Sequence, residues 1–372
     1  MDDPAKATRA ADRARIAALD AEIHELQQRI HALQTEQESC QQRLDTYKYP
    51  VLTLPNEITT EIFMHFLPPY PTCPPLRGLD SPTTLTHICR KWREIALTSP
   101  RLWRAFRTVY TANRAEQTRT VQTWLERSGS CPLSIQMGVS DANCFLALLL
   151  HRERWQHVDL ELASEDVALF EGPMPLLETL SLGVDDDEYT HPATTVDDFP
   201  RLRAVTLGIA DHGNWLPISQ LTSLTFENVE RAKYYLPLLQ NAVNLVRLHL
   251  IDCGTDVPPG SSVKLARLEM LLMVDFYSDG STNKLFETFT LPALRTLHMS
   301  AALLGQDPEG LLTPFIARSG CKLQEILVTG SHGFSQEYFR AVFPAIPSIS
   351  FERQCIWYTE EKRELRRGFE PY

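Results

Sequence analysis

What most limits how this chain can fold is a short apolar word repeated across residues 155–351: an apolar residue, two others, an apolar residue, one other, an apolar residue. It reads Trp155/Val158/Leu160, Leu177/Leu180/Leu182, Leu202/Val205/Leu207, Leu221/Leu224/Phe226 and Leu245/Leu248/Leu250. It continues as Leu268/Leu271/Met273, Leu294/Leu297/Met299, Leu323/Ile326/Val328 and Ile346/Ile349/Phe351, and Ile135 with Met137 fits the start of the series. Successive copies begin 19 to 29 residues apart. The last two apolar residues of each word have strand spacing, so both point to one side while the residue between them faces the other. The segments Ala142–His151, Tyr234–Asn241, Gly310–Arg318 and Gln336–Phe343 have helical composition and are expected to form an outer layer. A unit this short buries its apolar edge only against its neighbours, so the expected α/β fold is one continuous curved solenoid of parallel strands and helices. A mixed α/β domain whose sheet is not a solenoid is the alternative.

Word and period together resemble leucine-rich repeats. The Asn or Cys of that family, three places after the last apolar residue, occurs once, as Cys253; elsewhere the position holds Asp185, Ala210, Val229, Phe276, Ala302, Ser331 or Gln354, so irregular turns are expected. The repeat turns one set of residues outward onto a concave face: His157, Asp159, Glu178, Ser181, Thr206, Thr225, Arg247, His249, Leu272, Thr296, His298, Leu327 and Ser350. From this set His157, Asp159, Arg247, His249, Leu272 and His298 are the candidate contacts to a bound protein. The stretch Met270–Val274 is apolar on both faces, which means either a covering loop or an exposed anchor within a polar rim. The acidic run Asp185–Glu188, with Asp197 and Asp198, is a solvated loop or a holder for a basic segment.

Ahead of the repeats, Leu54, Pro55, Asn56, Glu57 and Ile58 open a short amphipathic helix whose stripe continues through Ile62, Phe63 and Phe66 to a stop at Pro68 and Pro69. Pro55 is placed for a first helical turn, where its missing donor costs nothing, and Glu57 suits the positive end of the helix. A second start, Ser81 followed by Pro82, leads into Leu85, Ile88, Cys89, Trp92, Ile95 and Ala96, and Pro100 ends the run before Leu102 and Trp103. About fifty residues bury little surface by themselves and need something to lean on.

This ordered set resembles an F-box, and with the repeats the chain is similar to F-box proteins carrying a leucine-rich-repeat-like domain, of the kind common in mushroom-forming fungi. The resemblance implies docking onto the Skp-type adaptor of a cullin–RING ubiquitin ligase through Leu54, Pro55, Ile58, Ile62, Phe63, Leu85, Ile88, Cys89 and Trp92. It also implies an unknown protein substrate held by the repeats. The chain departs from the compact family pattern in the insert Pro68–Asp80, which is expected to be an extended, solvated spacer; Pro71 and Pro74 within it also fit a PxxP ligand.

Arg9 to Tyr47 contains neither Gly nor Pro, and Ile16, Ile23 and Ile30 repeat every seven residues with Leu19, Leu26 and Leu33 three places later. This heptad seam, running on through Gln37, Cys40, Leu44 and Tyr47, favours a parallel two-stranded coiled coil and a homodimer through residues 9–47. A single long helix folding back on its own chain is the other reading. Arg15 meets Asp20 of a parallel partner whereas Glu22, Arg29 and Glu36 meet glutamines, so partner choice is weakly encoded. The expected organisation is a coiled-coil helix at 1–48, an F-box at 49–106 and the repeat domain at 107–372.

The remaining classes are thinned by charge and motif. A net charge of −11 and pI near 5.5 argue against nucleic-acid binding. The start Met1-Asp2-Asp3-Pro4 lacks a cationic region and an apolar core, and no apolar run spans a bilayer, so a cytoplasmic or nuclear location with no membrane contact is expected. Eight cysteines without a CxxC pair read as reduced, mostly packed thiols, with no metal and no cofactor. HExxH, GxSxG, P-loop and dinucleotide signatures do not occur, so no enzyme is expected; a cysteine-based ligase would need an activated thiolate that no cationic helix start supplies here.

Overall fold

A computed structural model of the chain describes residues 4–46, 50–109, 113–138, 142–184, 196–208, 215–274, 283–330 and 335–352. The chain divides into two compact units, residues 1–59 and 60–372. In the first, the residues free of Gly and Pro form α1, Pro4–Thr46, whose described side chains are all exposed except the half-buried Cys40. Tyr47, the last expected seam position, lies outside the described residues. The division falls within α2, Asn56–Phe66. Pro55 stands just before the helix, its carbonyl accepting the Thr59 N–H at 3.0 Å, so it occupies the cap where a first-turn position was expected.

The run expected to follow Ser81–Pro82 is two helices, α3 at Leu85–Ile88 and α4 at Arg90–Leu97. Cys89 separates them in extended backbone, φ −155° and ψ 170°, and its Sγ accepts the Trp92 N–H at 3.5 Å, a sulfur cap on α4. The Phe63 and Trp92 rings meet edge-on at 5.0 Å, which seats α4 on the second half of α2. Trp103 is fully buried, donates its Nε1–H to the Ala96 carbonyl at 2.8 Å and meets Trp124 edge-on at 5.1 Å. Trp124 belongs to α5, Arg114–Arg127, and it also packs on Phe106. The short helices from residue 60 onward therefore share one apolar core with the sheet that follows.

That sheet begins one strand earlier than the repeat word indicates. Its strands are β1 (Ala105–Arg107), β2 (Leu133–Met137), β3 (Trp155–Leu162), β4 (Thr179–Val184), β5 (Ala204–Gly208), β6 (Ser223–Glu227) and β7 (Arg247–Ile251). After β8 (Val263–Lys264) come β9 (Met270–Val274), β10 (Phe289–Thr290), β11 (Thr296–Ser300), β12 (Glu325–Thr329) and β13 (Ser348–Glu352). Eleven of them pair in chain order into one parallel sheet, while β8 and β10 form a separate parallel pair. The boundary expected at 106/107 thus falls inside β1.

Helices α6 (Ala142–Leu149), α7 (Ala232–Asn241), α9 (Pro308–Ser319) and α10 (Gln336–Val342) occupy the four segments of helical composition, with α8 (Asn283–Thr288) in addition. Such crossovers are what parallel pairing requires. In register across the sheet stand Val158, Leu180, Val205, Leu224, Leu248, Leu271, Leu297, Ile326 and Ile349, none more than 4% exposed. Full burial of each is worth ~1.5–3 kcal/mol relative to exposure, so this row is the main adhesive of the unit.

The irregular turns follow local chemistry. Asn228 and Asp252 close β6 and β7 with φ of 57° and 50°, a left-handed region that these short polar residues tolerate. Cys253 is buried with Sγ 3.4 Å from both the Phe226 and Ile251 carbonyls. At Gly254 an added Cβ would lie 1.7 Å from the Glu230 carbonyl oxygen, so only glycine allows that close pass.

Candidate functional site

The residues singled out by the sequence fall on two surfaces: the outer sides of the short helices, and the sheet face opposite the apolar row.

On the short helices the expected adaptor contacts separate by burial. Phe63 and Leu85 are 0% and 3% exposed and belong to the chain's own core; Trp92 and Cys89 are half-buried. Phe63 lies under Trp92, and Cys89 is engaged as a cap, so these residues hold the helices together and offer little surface. Ile62, Phe66 and Ile88 keep 45%, 41% and 55% of their surface open, and Leu97 is exposed as well. Ile62 and Phe66 are four residues apart on α2 and share a face. In the unit before residue 60, Leu54 is half-buried, Pro55 is exposed, and Ile58 is 50% exposed at the first part of α2. Covered and open apolar side chains thus alternate, leaving the helices with a packed side and an open apolar side.

The insert Pro68–Asp80 differs from the expected solvated spacer. Pro74 and Leu76 are buried, Arg107 donates its backbone N–H to the Pro74 carbonyl at 2.8 Å, and Pro75 bridges Arg107 in parallel. Ser134 Oγ donates to the Pro71 carbonyl at 2.5 Å and lies 3.2 Å from Cys73 Sγ. Tyr70 donates its hydroxyl to Gln156 Oε1 at 2.8 Å beneath the Arg104 guanidinium, 3.8 Å from the ring centroid. Burial pushes the Tyr70 hydroxyl up to about 12 and the Cys73 thiol up to about 11, so both stay protonated at neutral pH. The segment is a strap fastened to the start of the sheet. Its proline composition reads as a spacer because the fastening groups are backbone carbonyls and residues more than 30 positions away.

Between this strap and the sheet lies a groove of about 800 Å³, in the size range of ligand clefts. Its floor is built from short hydroxyl side chains in register, Thr179 and Ser223 in one row on either side of Ala204 and Ser181, Thr206 and Thr225 in the next, with Arg107, Asp159 and Asp80 around them. Asp159 Oδ2 accepts from Gln136 Nε2 at 3.0 Å, and His157 Nδ1 shares a hydrogen bond with Thr179 Oγ1 at 3.0 Å. Burial lowers the His157 pKa, so the imidazole is neutral at pH 7 and acts as a hydrogen-bonding group. The groove suits a ligand recognised by hydrogen bonds to hydroxyls, an amide, a carboxylate and a guanidinium.

The expected concave-face residues do not form one exposed set. His157 and Asp159 line the groove, Arg247 is exposed and His249 half-buried. Leu272 and His298, offered as contacts for a bound protein, are 1% and 7% exposed, and Leu327 is 7% exposed. His249, Leu272, His298 and Leu327 stand in register on adjacent strands, where large side chains a strand spacing apart shield one another's flanks. The stretch Met270–Val274 is therefore covered on both faces, and it is not an exposed anchor. Burial lowers the His298 pKa despite Glu325 Oε1 at 3.9 Å. The acidic run Asp185–Glu188 lies outside the described residues.

Among the described residues no group of three or more His, Cys, Asp or Glu is placed to hold a metal ion, and no helix is long and apolar enough to cross a membrane. Cys144, Cys253 and Cys321 are buried, Cys40, Cys73, Cys89 and Cys131 are half-buried, and all seven are free thiols; Cys355 lies outside the described residues. Burial raises the Cys321 pKa as it does that of Cys73, the opposite of nucleophile activation. No family model matches the chain, and no curated protein matches it.

Proposed function

We propose that the chain is the substrate-recognition subunit of an SCF-type (Skp–cullin–F-box) ubiquitin ligase, with an F-box in residues 49–106 and a leucine-rich-repeat-like solenoid in 107–372. The observation that carries the reading is the set of open apolar side chains, Ile62, Phe66, Ile88 and Leu97, on short helices whose Phe63, Leu85, Ile95 and Ala96 are packed, with Ile58 open as well on the first part of α2. Each is about half covered already, so covering the rest is worth ~1 kcal/mol per side chain, enough for several together to hold an adaptor after association is accounted for. Leu54 and Pro55 join them on the strength of the motif.

Parallel strands in chain order with a regular row of Leu, Ile and Val support the solenoid reading. In this reading the groove under the strap receives part of a target protein. The chain then contributes placement and no bond chemistry: holding a target lysine near the ubiquitin-carrying enzyme makes their encounter effectively intramolecular.

The exposed seam of α1 favours a second reading, a scaffold that assembles proteins without promoting their degradation. Co-expression with a Skp-type adaptor and a cullin tests docking, and capture of neither would remove the ligase reading. Deleting the chain and quantifying the proteome separates the two: a receptor's targets accumulate, whereas loss of a scaffold leaves their abundance unchanged.

A further inference from the structure

Six apolar residues of α1, Ile16, Leu19, Ile23, Leu26, Ile30 and Leu33, are 39–58% exposed. They are spaced alternately by three and four, which puts them on one seam that needs a partner helix. The residues just before successive isoleucine positions alternate in sign: Arg15, Glu22, Arg29 and, before Gln37, Glu36, all exposed. The Ile/Leu seam alone favours a parallel pair, but Ile and Leu also pack antiparallel, so these charges decide the orientation against that expectation.

In a parallel pair in register, those four residues meet Asp20, Gln27, Gln34 and Gln41 of the partner subunit, and only Arg15 finds an opposite charge. The seam extended toward the start of the helix would also set Arg9 against the partner's Arg9 and Asp12 against the partner's Asp12. In an antiparallel pair the layers become Ile16 with the partner's Leu33, Leu19 with the partner's Ile30, and Ile23 with the partner's Leu26, and symmetry fills the other three. Arg15 then faces the partner's Glu36 and Glu22 faces the partner's Arg29, giving four opposite-charge pairs. Asp12 falls beside the partner's Gln37 and Arg9 beside the partner's Cys40, so both like-charge layers vanish.

We propose that two copies of this chain pair antiparallel through α1, about a two-fold axis between His24 and Glu25. Adaptor docking plays no part in this inference. The two Thr46 ends leave the pair roughly 65 Å apart, at 1.5 Å per residue, where a parallel pair would hold them about 10 Å apart.

The full chain tests this directly. Light scattering on eluting protein is expected to give the mass of two chains. Mild oxidation is expected to give no covalent dimer through Cys40, because only a parallel pair sets Cys40 against the partner's Cys40. In a Cys40→Ser background, mixing an Ile16→Cys chain with a Leu33→Cys chain is expected to give the crosslinked heterodimer, with neither chain crosslinking alone. Glu22→Arg with Glu36→Arg, and separately Arg15→Glu with Arg29→Glu, are each expected to weaken self-association by at least about tenfold, and mixing the two variants to restore it. A monomer, a Cys40-dependent covalent dimer, or charge variants that self-associate as tightly as the original chain would each overturn the proposal.

Discussion

Ile30 on α1 and Ile326 on β12 are the same side chain in equally regular patterns, yet the first is 55% exposed and the second 0%. The difference is supplied by neighbours. A repeat word is followed some two dozen residues later by another, and parallel pairing sets the two in register, so each apolar edge meets its cover within the same chain. A heptad repeats along one helix, and among the described residues its apolar seam stays exposed. Regular spacing specifies which face is apolar; covering that face depends on whether the chain carries a second surface of matching period.

The contrast breaks most visibly in the sheet. Leu271→Ala, in the middle of the row, is expected to lower unfolding free energy by about 2–5 kcal/mol, read from the denaturant midpoint. A loss below about 1 kcal/mol would mean the row is not the adhesive it is taken to be. On the short helices the opposite outcome is expected. Ile62→Asp with Ile88→Asp should leave the midpoint within about 0.5 kcal/mol of the original while abolishing capture of a Skp-type adaptor, since these side chains contribute surface and not core. A large drop in stability would reassign them to packing.

Acid should sharpen the comparison within the sheet itself. Burial lowers the pKa of His298, while the unfolded imidazole titrates near 6.5. Below that pH the unfolded chain binds a proton that the folded chain resists, so stability is fully present above about 6.5 and falls as pH drops from there toward the depressed folded value. His157 and His151 shift in the same direction, so His298→Gln is expected to flatten this slope in part, measured as midpoint against pH. An unchanged slope would remove His298 from the account. The smallest effect belongs to the ion pair of Arg77 and Glu116 at 2.6 Å, whose side chains are 63% and 46% exposed. Solvent screens it, and Glu116→Gln is expected to cost no more than about 1 kcal/mol.

Much of the sheet was legible because its information is local and periodic. The words placed nine of the eleven strands, Ile135 and Met137 marked β2, and composition located α6, α7, α9 and α10. What escaped depends on contacts between distant residues. β1 has no word because Ala105–Arg107 is defined by pairing with Ser134–Gln136. The strap reads as a spacer because Tyr70, Cys73 and Pro74 are held by Gln156, Ser134 and Arg107. Cys89 reads as one more apolar residue of a helix, whereas its extended backbone makes it a cap. The groove mixes both kinds: its hydroxyl floor was visible in Ser181, Thr206 and Thr225 as outward residues, but its second wall was not. A two-residue alternation puts Leu272 and His298 on the face opposite the apolar row, but it carries no information on what covers them.

The most direct test of the ligase reading is amide hydrogen exchange on the full chain with and without a Skp-type adaptor. Slowed exchange concentrated in residues 54–67 and 85–97, with the sheet strands unchanged, is the expected result. Exchange that is unaltered by the adaptor, or slowed only elsewhere in the chain, would contradict it.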